Sequence, residues 1–228
     1  MTRRILAIDT ATDALSVAVG VDGELRFSAF QRRRRGHAEV LIPLVQHALS
    51  ASGIGADEIS EIGVTLGPGT FTGVRIGLAA ARGFRVATGV PVTGVGTLEL
   101  LAFRAGRRWP DRPVMAALDA RRNQVYAQYF RRGGGAWPEA WSFPAAMPAA
   151  EAASQLVPGT VLTGSGAPLI ATAEAPEVSI CDGEARPDAT DLIALLSARP
   201  QPTRNAPAPN PIYLRAPDAT PARPLLDL

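Results

Sequence analysis

The chain reads as an α/β protein built from two similar strand-and-helix units followed by an irregular tail. Three observations carry that reading. Short apolar runs alternate with helical patterns through residues 1–108 and again through 109–199. Each unit opens with two strands around an Asp-containing turn, "DTATD" at 9–13 and "DARRN" at 119–123. The last segment, 200–228, holds eight prolines in 29 residues and favours no regular element. No close internal repeat in the sequence accompanies the apparent duplication.

The elements follow in order. "ILAI" at 5–8 and the run from Ala14 to Val19 are short enough and apolar enough for buried strands, and "GELRFSAF" follows a "VDG" turn signal, which completes a meander. In "GHAEVLIPLVQHALSASG", Val40, Leu41, Leu44, Val45, Ala48 and Leu49 recur at helical spacing, and Gly53 and Gly55 end the helix. Pro43 falls within its early turns, where a missing amide costs least. "EIGVTLGPG" supplies a strand, the loop "GPGTFTG" launches a helix over about 73–88, "VPVTGVG" is a strand and "TLELLAFRA" a helix. In the second unit, "VMAALD" and "QVYAQYF" flank the Asp-Ala-Arg-Arg-Asn turn, and "RRGGGAWPEAW" reads as a loop. A short helix over "PAAEAASQL", a strand in "GTVLTGSGAP" and a helix in "DATDLIALLSARP", capped by Asp188 or Thr190, complete it; the tail then packs back through "IYLR".

Bulk composition narrows the function classes. With 46% apolar and 19% charged residues in 228, the chain can bury a sizeable core. A net charge of +2 gives no global argument for nucleic acid, which requires charge concentrated on one face. All 23 basic residues are Arg, a skew that coding composition explains more simply than selection for guanidinium forks. The single Cys181 excludes an internal disulfide framework and a multi-cysteine zinc site. The apolar run after "MTRR" is broken by Asp9 and Asp13, so neither a signal peptide nor a spanning segment is expected, and the expected location is the cytoplasm with no membrane contact.

Four motifs bear on chemistry. Asp9 and Thr10 in "DTATD" suit either a phosphate or its metal, or an ordinary hairpin. Gly67, Gly69, Thr70 and Gly73 precede a helix N-terminus, where unpaired amides attract anions; the spacing is neither a Walker loop nor the dinucleotide fingerprint, and a structural turn fits equally. Within the helix that follows, Gly73, Gly77 and Ala81 lie four apart, a bare stripe suited to close helix packing in a core or between subunits. Arg32–Arg35 reads as a solvated strand-to-helix loop, with an acidic or RNA partner as the alternative. His37 and His47 fall roughly 80° apart around a helix and three turns distant, so they cannot share a metal. No metal site is therefore expected, and "GSGAP" lacks the spacing of a nucleophile elbow.

Taken in order, "LAIDTATDALSVAV", "GHAEVLIPLVQHAL", "GPGTFTGVRIGLAAARG", "GVGTLELLA", "LDARRNQVYAQYF" and "PIYLR" resemble the TsaB family, also called YeaZ, over about 5–215. The resemblance implies two ribonuclease-H-like lobes of the actin-like ATPase kind, with mixed five-stranded sheets flanked by helices. It implies a non-catalytic subunit that binds and activates the paralogous TsaD, together with TsaE, in making N6-threonylcarbamoyladenosine in tRNAs that read codons starting with A. Contact with tRNA would be indirect. A His-x-x-x-His metal pair in that paralogue has no counterpart in "GVGTLELLAF", 94–103, so the implied catalytic residues and metal ligands here are none, and no peptidase signature is present. The partner surface carried over by motif comprises Leu41, Leu44, Val45, Ala48, Val74, Gly77, Leu78 and Ala81, which would serve TsaD or a second copy of the chain. Asp9, Thr10 and the 67–73 loop match the phosphate side of the actin-like cleft; no cofactor is required, and weak ATP or ADP contact is the most the resemblance implies. The rival reading is an actin-like ATPase or phosphotransferase that uses Asp9 for metal and water and the 67–73 loop for phosphate.

Overall fold

The computed structural model describes residues 2–131, 139–171, 178–181 and 186–215. Part of the loop expected in "RRGGGAWPEAW" and the tail beyond 215 lie outside the described residues.

Strands β1 (Arg4–Asp9), β2 (Ala14–Val21) and β3 (Glu24–Arg32) form the antiparallel meander. β4 (Glu61–Thr65) and β5 (Val92–Val95) then add in parallel beside β1, giving the order β3-β2-β1-β4-β5. Both parallel joins use helical crossovers, as parallel pairing requires: α1 (His37–Ser52) leads to β4, and α2 (Phe71–Thr88) leads to β5. Gly53 ends α1 in the left-handed conformation (φ 63°), and Thr70 caps α2 by accepting from the Gly73 amide at 3.1 Å.

The second sheet repeats this plan. β6 (Val114–Asp119) pairs antiparallel with β7 (Gln124–Arg131) and parallel with β10 (Val161–Thr163), which pairs parallel with β11 (Ser179–Ile180). The strand equivalent to β3 is broken in two: β9 (Ala145–Pro148) pairs with the start of β7, and β8 (Glu139–Ala140) with its end. The two ribonuclease-H-like sheets expected are present, and the described residues place six strands rather than five in the second because this edge is divided.

α1 and α2 cover one face of the first sheet, where Leu41, Val45, Leu78 and Ala81 meet Leu6, Ile8, Val17 and Ile62. α6 (Ala189–Ser197), capped by Asp188, covers its other face against Ile5, Ala7 and Ala18. α3 (Thr97–Arg108) packs on the second sheet through Leu98, Leu101 and Ala105 against Val114, Ala116 and Phe130. The short α4 (Ala149–Ser154) and α5 (Ala167–Ile170) cover the opposite face. The division expected at 108/109 is therefore crossed in both directions. α3 precedes it yet supports the second sheet, and α6 follows it yet supports the first, because each sheet needs both apolar faces covered.

Candidate functional site

The β1–β2 turn, the 67–71 loop, the β6–β7 turn and residues 212–215 meet between the sheets around a cavity of about 510 Å³, which Arg34, Ser165 and Arg186 also line.

Of the candidate phosphate contacts, only Gly69 and Thr70 line it. Asp9 is fully buried beneath the turn; its Oδ1 accepts from Thr65 Oγ1 at 2.5 Å and from the Ala11 amide at 3.3 Å, while Oδ2 has no partner. Loss of hydration outweighs those donors and pushes its pKa up to about 7. Thr10, also buried, donates to the Gly73 carbonyl at 2.7 Å. The glycines are needed for contact with this turn: a β-carbon at Gly69 would overlap the Ala11 carbonyl, one at Gly73 the Thr10 carbonyl, and one at Gly77 the Thr10 hydroxyl. The Thr70 amide donates to Ala11 O at 2.7 Å and the Gly73 amide to Thr70 Oγ1, so these two donors are taken within the protein. Buried in this way, Asp9 does not present the accessible carboxylate that a nucleotide-bound magnesium requires. Among the described residues no cluster of three His, Cys, Asp or Glu could hold a metal ion.

Other residues occupy the cleft. Arg186 makes a two-pronged pair with Asp13 (2.6 and 2.8 Å), and the guanidinium holds the Asp13 carboxyl below the usual range. Residues 209–215 form a strap: Ile212 donates to Leu66 O at 2.7 Å, Tyr213 stacks on Phe71 with centroids 5.1 Å apart, and Arg215 donates to Ala120 O at 3.1 Å and contacts Gln124. Arg75 lies 3.6 Å over the Phe71 ring and donates to the Tyr213 hydroxyl at 2.9 Å. Asp13, Arg186 and Asp119 were absent from the sequence reading of this site; no local signal connects Asp13 with a residue 173 positions away.

The helix surface needs a correction of phase. Leu41, Val45, Ala48, Val74, Gly77, Leu78 and Ala81 are all buried in the monomer's own core, and Leu44 is half-buried, so these residues do not form a free partner face. The bare stripe faces inward because the β1–β2 turn and Val64 lie directly against it. The outward faces carry Ile42 (50% exposed) and Pro43 on α1, and Ala79, Gly83 and Val86 (88% exposed) on α2. The signal was in the pattern: 74, 78 and 81 share one helical period, whereas 79, 83 and 86 share another. His37 is buried with Nε2 3.1 Å from Ala14 O, and His47 packs its ring edge against Phe27.

The family model described as TsaD, tRNA N6-adenosine threonylcarbamoyltransferase, matches residues 31–155. The tRNA threonylcarbamoyladenosine biosynthesis protein TsaB of Escherichia coli (strain K12) is 43% identical over 59% of this chain, which spans 58% of that relative. The solved structure of YeaZ from Pseudomonas aeruginosa superposes with TM-score 0.73 at 30% identity, covering 85% of this chain and 90% of that one. The chain belongs to the TsaB/YeaZ family. A further P. aeruginosa structure, described as an uncharacterized protein with similarity to peptidase YeaZ, superposes at TM-score 0.79 and 28% identity over 93% of this chain and 100% of that one. The superposition extends the TsaB/YeaZ likeness across both sheets. The TsaD-model match starts at the end of β3 and takes in α1, α2, the glycine loop and the β6–β7 turn. No helix among the described residues is long and apolar enough to cross a membrane.

Proposed function

We propose that this chain is the non-catalytic subunit that binds and activates a TsaD-type threonylcarbamoyltransferase in tRNA N6-threonylcarbamoyladenosine biosynthesis, with TsaE as a further partner and no cofactor of its own. The observation that carries the reading is the exposed apolar stripe of Ile42, Ala79, Gly83 and Val86, where small residues on α2 leave room for a partner helix and Val86 lies almost wholly in water. A second copy of the chain would compete for the same face.

Co-purification with TsaD tests this. Val86→Glu and Ile42→Asp should each weaken capture by tenfold or more, about 1.4 kcal/mol, and Val86→Glu should leave the melting temperature within about a degree or two, since Val86 is 88% exposed in the free chain. The purified chain alone should lack transferase, peptidase and steady ATP turnover, and adding it to TsaD and TsaE should restore modification. Undiminished capture by the double variant would remove the interface.

A further inference from the structure

The cleft has a chemistry that a protein-docking role leaves unexplained. Among its lining residues are four arginines and three aromatic rings, contributed by both lobes. Arg34 comes from the β3–α1 loop and Arg121 from the β6–β7 turn, each exposed and each followed by another exposed Arg, Arg35 and Arg122. Phe71, Tyr126 and Tyr213 line the same cavity. The two carboxylates present are already compensated: Asp13 is held by Arg186, and Asp119 accepts from the Arg121 amide at 2.7 Å and lies 3.5 Å from its guanidinium. With Arg34, Arg121, Arg186 and Arg215 lining the cleft against Asp13 and Asp119, positive charge predominates there and continues along the arginine run, although the chain as a whole is nearly neutral. Asp9 is buried away from the cleft, and the Thr70 and Gly73 amides are already bonded within the protein. Guanidinium groups with interleaved rings are instead the parts that hold a single strand, phosphates on arginine and bases on aromatic faces.

We infer that the inter-lobe cleft binds a single-stranded RNA segment directly, with its phosphates on Arg34 and Arg121 and a base against the Phe71–Tyr213 wall. The inference rests on the reading that the chain serves a tRNA-modifying assembly, and it changes the tRNA contact from indirect to direct; the ligand is the single-stranded loop of the substrate tRNA.

The test is fluorescence anisotropy of the full chain with a labelled, unmodified anticodon stem-loop RNA between about 50 and 200 mM salt. Arg34→Ala with Arg121→Ala should weaken binding tenfold or more and lower the salt slope by about 1.4, two phosphates at about 0.7 each. Phe71→Ala should weaken binding about fivefold or more with the slope unchanged. Circular dichroism and melting of each variant establish folding, and both arginines are solvent-exposed. No binding by the native chain, native affinity and slope in the arginine variant, or stoichiometric displacement of the RNA by MgATP would each overturn the site, the last by making it a mononucleotide pocket. Capture of TsaD reads the helix face separately: an Arg34→Ala, Arg121→Ala chain that loses RNA yet retains TsaD supports the cleft. Retained TsaD capture by Val86→Glu would count against the scaffold interface alone.

Discussion

At the scale of single residues, Asp9 is a carboxyl that burial holds far from its ordinary ionisation. It is buried with one oxygen unpartnered, and its pKa stands at about 7 against an ordinary 3.8. A folded-state pKa above the unfolded one means that the native state binds the proton more tightly. The stabilisation is therefore complete below about pH 4 and is lost as pH rises through 7. The shift corresponds to at most about 4 kcal/mol. Asp9→Asn keeps the shape without the charge, so the melting temperature of the variant should exceed that of the native chain at pH 8 and approach it at pH 4. A constant difference across that range would show that Asp9 does not titrate there. A carboxyl tuned by burial in this way also explains why "DTATD" was ambiguous as sequence. Asp before Thr is compatible with a metal-facing group, and only its position beneath the turn removes it from the cleft.

At the scale of elements, two of the three glycines of α2 have opposite meanings. Gly77 packs against Thr10, and a β-carbon there would overlap its hydroxyl; Gly83 faces open space, and a β-carbon there would meet nothing within 4 Å. Gly77→Ala should cost about 1–3 kcal/mol by overpacking, whereas Gly83→Ala should stabilise the free chain by about 0.5–1 kcal/mol through helix propensity. Urea denaturation of the two variants provides the comparison, and equal effects would contradict the assigned faces. Strand and helix positions were legible because apolar period is a local property: the meander, α1, α2 and α3 stand where the pattern of Ile5–Ile8, Leu41–Leu49 and Val74–Ala81 places them. The orientation of the small stripe was not legible, since a row of Gly and Ala is compatible with a neighbour from the same chain or another. Likewise β11 and the split between β8 and β9 are two- to four-residue pieces defined by pairing rather than by periodicity.

For the whole molecule, the exchange of α3 and α6 between sheets interlocks the two lobes. Arg104 of α3 donates to Asp191 of α6 at 2.6 Å, at the point where the exchanged helices meet. The strap adds a second tie, from Leu66 in the first lobe to Ala120 and Gln124 in the second. Tyr213→Ala with Arg215→Ala should leave both sheets intact and lower the melting temperature by about 2–4 °C per kcal/mol lost. Amide exchange should quicken at the β6–β7 turn and at the 67–70 loop. Unchanged exchange at both would mean that the strap only lies on the surface. Because α3 and α6 tie the cores together, unfolding should remain a single calorimetric transition in the native chain.

The linear sequence by itself determined the class of the fold, the order of its main elements, the glycine loop before α2 and the TsaB-like motif series, because each is written in spacing and composition over short distances. Tertiary structure alone decided which way those elements face. It turned Gly73, Gly77 and Ala81 inward against Thr10 and Val64 and left Ile42 and Val86 in water. It also joined Asp13 to Arg186 and closed the cleft with residues 212–215. These outcomes depend on which surfaces compete for burial once the sheets have formed, and that competition is settled between residues far apart in the chain.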